Sequence, residues 1–222
     1  GVELACVRGC DLRTPLEPVP ASVFSLPGDP PGRPGVRAEY FTGPDLAGAP
    51  ALVREEPMPF APERIASPAP GLPAEHFSAR WTGRLAVPRG GRYSLRLTSD
   101  DGSRLYLDGK LVIDHWAPHP MVGRTAPMDL EAGRLHDLTV EWFNAAGTSG
   151  LRLEWLPPAA ALPPEVEEAV RTARSSDAVI LALGIAAPDD VPRRDAEILE
   201  SETIDRPHIY LPSMQERLLE AV

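Results

Sequence analysis

The chain has 222 residues, of which 43% are hydrophobic and 24% charged, a composition that is typical of folded domains and excludes a peptide or a linker. Its 22 lysines and arginines against 32 aspartates and glutamates give a net charge of −10, which argues against binding to a nucleic-acid backbone or an anionic membrane surface and favours a neutral ligand. The 27 prolines and 18 glycines predict many turns and therefore a β-rich fold.

The first residues, GVELACVRGC, lack the basic-then-apolar order of a signal peptide, and we expect the chain to be part of a longer protein. No run in the sequence approaches the roughly 20 apolar residues of a membrane span.

Cys6 and Cys10 alone define neither a disulfide framework nor a four-ligand zinc site. They are predicted to be small buried residues, with a bridge between them as the alternative. Residues 15–34 contain many prolines and no sustained period, which predicts an extended connection.

Residues 36–157 alternate apolar and polar positions, as in FSARWTGRLAV, RYSLRLTSD and LHDLTVEWF, between Gly, Pro and Asp residues. Several short strands of this kind predict an antiparallel β-sandwich or barrel. The sequence LDGK predicts a tight hairpin turn, because Asp-Gly is a favoured pair for two-residue loops. Trp81, Trp142 and Trp155 fall on alternating strands and are predicted to lie in the core.

The pattern changes after Pro163. PPEVEEAVRTARSSD predicts a helix, AVILALG is a continuous apolar run that predicts a strand covered on both faces, and LPSMQERLLEAV is again helical. The first helix has these apolar residues on one face: Val166, Ala169, Val170 and Ala173. This order is typical of an α/β sheet, but the two ends of the chain supply too few strands to complete one. Both ends are therefore predicted to belong to one interrupted, incomplete α/β domain.

The middle segment resembles the protective-antigen-type (PA14) β-sandwich domain, which has motifs similar to EYF, FSARWTG, GRYSLRLTSDDGSRLYLDGKLVIDHW, LTVEWFN and LRLEW in this order. The flanks resemble the C-terminal α/β-sandwich domain of glycoside hydrolase family 3, in the opening GC pair, AVILALG, an acidic loop with DR, and LPSMQERLLEAV. Some β-glucosidases of that family carry the β-sandwich as an insertion at this junction. The resemblance implies three parts: residues 1–34 begin the α/β sandwich and a linker, residues 35–158 form an antiparallel PA14 β-sandwich, and residues 159–222 continue the incomplete α/β sandwich.

The resemblance to family 3 implies a retaining, β-glucosidase-like hydrolase, which uses one carboxylate as nucleophile and another as general acid/base. In the family the nucleophile lies on a (β/α)₈ barrel, to which no part of this chain is similar. In ESETIDRPHIYLP, alignment on Asp205 and Arg206 places Glu202 at the acid/base position and Glu200 at a variable one. The two residues after Glu202 are Thr and Ile, where the family has Gly and Tyr. A solvated or helix-capping role for Glu202 is the alternative.

The sequence HWAPHPMVGR follows the predicted strand KLVID as an irregular loop. In family members with the insertion, the corresponding loop reaches over the active-site mouth and helps to limit the length of the substrate. The resemblance therefore implies that Trp116, His119 and Met121 contact substrate, with ordinary loop packing as the alternative. His115 and His119 have the spacing of two metal ligands on a helix, but prolines on both sides of His119 forbid a regular helix there.

Asp100 and Asp101 in TSDDGSRL allow a second interpretation. Fungal adhesins with a similar sandwich bind sugar through calcium held by two consecutive aspartates and a later asparagine, and Asn144 is the candidate third ligand here. Calcium takes six to eight oxygen ligands, however, and DDG is equally suited to a turn between strands. A calcium-dependent carbohydrate-binding module is therefore the alternative function, and a non-catalytic interaction domain is a third.

The sequence lacks the G-x-G-x-x-G fingerprint, so AVILALG is not interpreted as part of a nucleotide site, and no cofactor is expected. The expected partners are a carbohydrate substrate and the remaining domains of the parent enzyme, without nucleic acid or membrane. The family resemblance implies a secreted or periplasmic parent protein.

Overall fold

The computed structural model describes residues 2–10, 16–28, 33–64, 66–158, 162–183 and 213–222. Contacts between residues divide the chain into two compact units. One unit is Leu16–Pro158, and the other joins Gly1–Pro15 to Ala159–Val222. In the described ranges no helix is long and apolar enough to cross a membrane.

The unit Leu16–Pro158 is an antiparallel β-sandwich. Its strands are, in chain order, β1 (Glu17–Pro18), β2 (Phe24–Ser25), β3 (Val36–Phe41), β4 (Leu52–Glu56), β5 (Phe60–Arg64), β6 (Phe77–Ala86), β7 (Gly91–Asp100), β8 (Ser103–Leu107), β9 (Lys110–His115), β10 (Val122–Leu130), β11 (Leu135–Asn144) and β12 (Ser149–Leu156). One sheet has the order β1-β12-β7-β10, and β5 also pairs with β12. The other sheet has the order β4-β3-β6-β11-β8-β9, and β2 also pairs with β6. The prediction of a mainly β, antiparallel sandwich is confirmed.

Apolar side chains from both sheets fill the space between them, because alternate residues of each strand point to the same face. Trp81 on β6, Trp142 on β11 and Trp155 on β12 are at most 3% exposed, which confirms their predicted place in the core. The ring centroids of Trp81 and Trp142 are 6.1 Å apart. Burying one such ring removes roughly 200 Å² from water, which contributes about 5 kcal/mol before the entropy of ordering is subtracted.

One carboxylate is enclosed at the margin of the core. Glu56 on β4 accepts hydrogen bonds from Trp81 Nε1 at 2.7 Å and from the Tyr40 hydroxyl at 2.8 Å. Arg54 Nε donates to the same carboxylate at 2.6 Å. Burial, followed by the charge of Glu56, raises the pKa of Tyr40 well above its ordinary value. The phenol therefore stays protonated, and the polar atoms of two core aromatic residues are satisfied by one acidic side chain.

The predicted LDGK hairpin is confirmed, because Asp108 and Gly109 connect β8 to β9 with φ angles of 50° and 75°. Positive φ at both central residues is what a type I′ turn requires. The Asp108 carboxylate accepts hydrogen bonds from His136 Nδ1 and from the backbone N–H of Asp137, each at 2.9 Å. Burial opposes ionisation of Asp108, but the hydrogen bonds from His136 and Asp137 outweigh it and lower the pKa of the carboxyl. The turn is thus fixed to β11 as well as by its own backbone.

The proline-rich segment differs from the predicted extended connection. Two-residue strands within it join the sandwich: β1 pairs with β12 through Glu17 and Pro18, and β2 pairs with β6 through Phe24 and Ser25. Trp155 Nε1 donates to Glu17 at 3.1 Å, and Phe24 is only 2% exposed. Strands of two residues are too short to carry a period, so alternation in the sequence cannot reveal them.

The other unit contains the two predicted helices, α1 (Pro164–Arg174) and α2 (Ser213–Ala221). Pro164 occupies the first turn of α1, where a missing backbone N–H costs no hydrogen bond. The buried face of α1 consists of Val166, Ala169 and Val170. Leu218 of α2 packs against Gly9, where a Cβ would approach Leu218 Cδ2 to 2.5 Å. The predicted apolar face of α1 is therefore confirmed except for Ala173, which is half-buried, and α2 confirms the second predicted helix.

Two expectations for this unit are wrong. Residues 178–183, within the predicted strand AVILALG, form no strand, and Ile180 is 96% exposed. A strand covered on both faces needs hydrogen-bonded neighbours, and the described part of this unit has no strand to pair with it. Cys6 is exposed and Cys10 is half-buried, with no disulfide between them, so the expectation of two buried residues fails for Cys6.

Candidate functional site

Three connections meet at one end of the sandwich. These are the β7–β8 turn at residues 101–102, the loop at residues 116–121 between β9 and β10, and the loop at residues 145–148 between β11 and β12. We name residues 116–121 the lip loop. The predicted site residues at this end are Asp100, Asp101, Trp116, His119, Met121 and Asn144. Hydrogen bonds between the three connections hold these residues together.

Asp101 links all three connections. Its carboxylate accepts a hydrogen bond from His119 N at 3.2 Å on one oxygen and from Ala145 N at 2.6 Å on the other. Its own N–H donates to the carbonyl oxygen of His119 at 3.2 Å. Asp101 is 6% exposed and has a φ of 39°, a conformation that aspartate tolerates better than most residues. The Asp101 side chain therefore supplies the hydrogen-bond acceptors for one backbone N–H group in each of the two neighbouring loops.

Asp100 precedes this hub at the end of β7. Its Oδ1 accepts a hydrogen bond from Asp101 N at 3.1 Å, and its carbonyl oxygen accepts one from Trp142 Nε1 at 2.8 Å. Burial, followed by the nearby Asp101 charge, raises the pKa of Asp100 above its ordinary value. Two carboxylates in adjacent positions repel each other, and a bound cation would relieve that repulsion.

Gly102 completes the turn and leaves no room for a side chain. A Cβ there would lie 2.2 Å from Phe143 Cε1 and 2.9 Å from the backbone N of Ala117. The carbonyl oxygen of Gly102 also accepts a hydrogen bond from Phe143 N at 3.0 Å. Glycine at this position thus allows the lip loop and β11 to approach the turn from two sides.

Asn144 has one satisfied and one unsatisfied polar atom. Its Nδ2 donates to the carbonyl oxygen of Ala74 at 3.0 Å, whereas its Oδ1 is buried and has no hydrogen-bond partner. Buried polar atoms without a partner are uncommon and call for an explanation such as a bound water or ion. Asp100, Asp101 and Asn144 supply oxygen donors of the kind that calcium prefers, although three side chains fall short of its six to eight ligands. Within the described residues, no group of three His, Cys, Asp or Glu side chains is arranged to hold a metal ion.

The lip loop is packed against the sandwich by its aromatic and sulfur side chains. Trp116 meets Phe143 edge to face, with ring centroids 4.9 Å apart. The guanidinium of Arg104 lies 4.6 Å from the centre of the Trp116 ring. Met121 covers Gly150, where a Cβ would approach Met121 Cε to 2.4 Å. Trp116 and Met121 are each half-buried, so part of each side chain faces solvent.

Sequence reasoning considered His115 and His119 only as possible metal ligands and did not predict that they form a cluster with Arg124. The His115 and His119 rings stack with centroids 3.7 Å apart and an interplanar angle of 12°. Arg124 Nη2 lies 3.3 Å from His115 Nε2. A signal was present: Arg124 occupies a position of the β10 alternation otherwise filled by Ala126, Met128 and Leu130. An arginine in an apolar series predicts a special environment.

Glu202 and Glu200, the predicted acid/base and its neighbour, lie outside the described residues.

A model of the family described as the PA14 domain matches residues 32–168. The chain belongs to the PA14 domain family. Among curated proteins, the chain is 28% identical to the anti-sigma-I factor RsgI3 of Acetivibrio thermocellus, over 54% of this chain and 19% of that protein. It is 31% identical to a beta-glucosidase of Rhizobium radiobacter, over 70% of this chain and 19% of that protein.

A third relative matches both flanks as well. This chain is 25% identical to a xylan 1,4-beta-xylosidase of Xylanibacter ruminicola over 99% of its own length and 25% of that protein. The chain thus spans about a fifth to a quarter of the length of these curated relatives. Among solved structures, the beta-glucosidase of Kluyveromyces marxianus in complex with glucose matches 91% of this chain and 24% of its own, with a TM-score of 0.52 and 19% identity. That likeness concerns the fold. The resemblance to family 3 glycosidases that the sequence shows is thus supported by the names of these relatives, a beta-glucosidase and a xylan 1,4-beta-xylosidase.

Proposed function

We propose that this chain is part of a retaining glycoside hydrolase of the β-glucosidase type, which removes terminal β-linked sugars from short oligosaccharides or glycosides. The observation that carries the proposal is the match to a xylan 1,4-beta-xylosidase over 99% of the chain. This match joins the PA14 sandwich to both flanking segments in one order. A module that binds sugar independently has no need of those flanks.

Glu202 is the proposed acid/base, and the nucleophile belongs to another domain of the parent enzyme. The reaction needs a carboxylic acid that is protonated when the leaving oxygen departs and ionised when water attacks. A raised pKa, produced by burial or by a nearby negative charge, meets that need. The enclosed cleft of the parent enzyme and its nucleophile would supply both influences. The support for Glu202 is its place in ESETIDR relative to Asp205 and Arg206.

The sandwich is proposed to shape the mouth of the cleft through the lip loop. Trp116 is half-buried on Phe143 and Arg104, so one part of the indole is fixed while another part is accessible. An immobilised aromatic ring loses little entropy when a sugar packs against it. The hydrogen bonds of Asp101 to His119 and Ala145 support this role because they give the lip loop a fixed position.

The test compares Trp116→Ala with Phe60→Ala in the full-length enzyme. Phe60 lies on β5 and is 46% exposed, so it is an accessible aromatic residue of the same sandwich that does not belong to the lip loop. We expect Trp116→Ala to lower kcat/KM for a trisaccharide on the order of tenfold, which corresponds to about 1.4 kcal/mol of lost transition-state stabilisation. The kcat/KM for an aryl monosaccharide should change little. Phe60→Ala should change neither. An equal effect of both variants, or no effect of Trp116→Ala on either substrate, would remove the lip loop from the substrate site.

Calcium-dependent carbohydrate binding is the second candidate, and the partnerless Asn144 Oδ1 favours it. Against it, both oxygens of the Asp101 carboxylate already accept backbone hydrogen bonds. A ligand that binds only the native state raises Tm, so millimolar calcium distinguishes the two. The glycosidase proposal predicts an unchanged Tm. A clear increase that disappears in Asp100→Asn, together with glycan binding that chelator abolishes, would replace it with the lectin function.

The proposed partners are the carbohydrate substrate and the remaining domains of the parent enzyme. By the same resemblance, the parent protein is proposed to act outside the cytoplasm, where oligosaccharide substrates of this kind are encountered.

A further inference from the structure

A basic cluster lies where the edge strands of the two sheets approach each other behind the lip loop. Arg124 on β10 is paired across the sheet with Leu97, a residue of the hydrophobic core. Cross-strand partners share a face of the sheet, so Arg124 is on the core-facing side of an edge strand. His115 ends β9, the edge strand of the other sheet. The guanidinium and the imidazole therefore meet between the sheets.

Hydrogen bonding fixes the proton of each histidine ring. An arginine can only donate, so the contact between Arg124 Nη2 and His115 Nε2 at 3.3 Å makes Nε2 the acceptor and places the His115 proton on Nδ1. A carbonyl oxygen can only accept, so the 2.8 Å contact of His119 Nδ1 with the Pro120 carbonyl places a proton on that nitrogen. Both rings fit this arrangement in the neutral state, stacked 3.7 Å apart.

The charges around His115 come from several elements. His119 in the lip loop and Arg124 on β10 oppose a positive charge on its ring, whereas Asp114 on β9 favours one. Asp114 is itself paired with Arg104 on β8 at 3.0 Å. Asp100 of β7 interacts electrostatically with His119, and Glu63 of β5 interacts with Asp100. In the described part of the chain, no carboxylate forms an ion pair with Arg124, and its Nη1 is buried without a partner.

We propose that His115 and Arg124 are positioning residues that hold the lip loop closed while His115 is neutral and release it when His115 is protonated. A neutral His115 accepts from Arg124 and supports the His119 ring by stacking. A protonated His115 has no acceptor at Nε2 and faces the guanidinium of Arg124 with like charge. The protonated ring is therefore more stable in solvent, which requires the lip loop to move away. The consequence for substrate rests on the proposed function, but the loop movement itself does not.

The direction of the pH effect follows from the two states of His115. Burial, then His119 and Arg124, lowers the pKa of His115 to about 4 in the closed state, whereas an exposed histidine titrates near 6.5. A histidine whose pKa is lower in the closed state than in the open state binds a proton more readily in the open state. Protonation therefore favours the open state once the pH falls below the open-state pKa, and above that pKa the closed state keeps its full stability. The closed state is therefore favoured most near pH 7 and above, and it loses stability between about pH 6.5 and pH 4. For a half-buried ring we expect the opening equilibrium to rise on the order of tenfold from pH 7 to pH 5.

Amide hydrogen exchange on the 222-residue chain tests the proposal without any sugar. A chelator is present so that bound calcium does not affect the loops. The N–H group of His119 reports directly on the lip loop, because it donates to Asp101 Oδ1. The N–H group of Asp101 is shared between His119 O and Asp100 Oδ1 and reports on the loop in part. Ladder amides of β7 and β12 report on the sandwich as a whole. After correction for intrinsic exchange, the loop amides should open about tenfold more at pH 5 than at pH 7. His115→Gln keeps an acceptor without a titratable ring and should reduce this change to less than about twofold.

Arg124→Met provides a second measurement by removing the guanidinium charge while retaining an apolar stem. The pKa of His115, followed by NMR of its ring protons, should move up toward the ordinary value. Arg152→Met on β12, where the side chain is exposed, is the matched control and should leave that pKa unchanged. The proposal is overturned if the loop amides of a folded His115→Gln variant show the same pH dependence of exchange as the wild type. It is also overturned if Arg124→Met leaves the pKa of His115 unaltered. If the pH-dependent release is present but Trp116→Ala leaves all substrates unaffected, the lip loop loses its proposed role at the substrate site and the pH-dependent release stands.

Discussion

Asp101 shows how a residue that is suited to a turn can organise an entire end of a sandwich. The sequence DDG predicts turn chemistry, and the structure places this carboxylate beneath two backbone N–H groups from separate connections. The same residue type satisfies both interpretations of the sequence, a turn or a calcium ligand. Only the positions of His119 and Ala145 reveal what the oxygens contact, and those positions depend on tertiary packing.

Asp101→Ala should destabilise the sandwich by about 2–4 kcal/mol, because it leaves two partly buried N–H groups without acceptors. Chemical denaturation measures the free energy of unfolding. Asp129→Ala is the control, since Asp129 is exposed on β10, and it should change stability by less than about 0.5 kcal/mol. Equal stability of the two variants would mean that the carboxylate does not hold the loops in solution.

Residues of the core were predictable from the sequence, whereas their polar partners were not. Trp81 and Trp142 follow from alternation, since every second residue of a half-buried strand faces inward. Glu56 as the acceptor for Trp81, and Arg124 as a cation on an inward-facing position, do not follow. Alternation assigns a side chain to a face but says nothing about which residue lies opposite.

At the scale of elements, glycines mark where backbones approach each other. Gly109 needs only a positive φ of 75° in the β8–β9 hairpin and has nothing within 4 Å of its missing Cβ. Gly102 has the opposite problem, because Phe143 and the lip loop occupy that space. The sequence predicts the first requirement through the Asp-Gly pair. The requirement for glycine at position 102 depends on Phe143 of β11 and Ala117 of the lip loop, which are distant from Gly102 in the sequence.

Gly102→Ala should therefore cost more stability than Gly109→Ala. The hairpin variant pays only for an unfavourable φ, about 1 kcal/mol. The turn variant must displace Phe143 or the lip loop, so we expect a loss of about 2–4 kcal/mol and a change in tryptophan fluorescence. Thermal or chemical unfolding of both variants measures the difference. A ranking in the opposite order would show that the turn can relax without moving its neighbours.

The two-residue strands and the apolar run 178–183 show the limits of pattern reading for elements. The strands β1 and β2 lie in a proline-rich segment without a period, and they form because neighbouring strands offer free ladder groups. The run 178–183 has a strong strand pattern but no partner in the described residues. Strand formation depends on the neighbours that a sheet provides, which a local pattern does not contain.

At the scale of the whole molecule, the sandwich contains its own core. We expect the segment 16–158 to unfold in one cooperative transition when expressed alone. A shorter segment, 36–158, lacks Val19, Phe24 and Leu26, which are at most 6% exposed. Each buried residue of this kind contributes about 1.5–3 kcal/mol, so the shorter segment should be several kcal/mol less stable. Equal stability of both segments would show that the proline-rich segment is not part of the sandwich in solution.

The central claim, that this chain supplies the acid/base of a retaining glycosidase, is tested most directly by azide rescue in the full-length enzyme. Glu202→Ala should lower turnover of a substrate with a poor leaving group by about 10²–10⁴-fold, whereas an activated aryl glycoside loses less. Added azide should restore turnover of the aryl glycoside and yield a glycosyl azide of retained configuration. Glu200→Ala is the control, two residues away, and should retain activity without any effect of azide. An exchange of these two phenotypes would move the acid/base to Glu200, and full activity in both variants would contradict the claim.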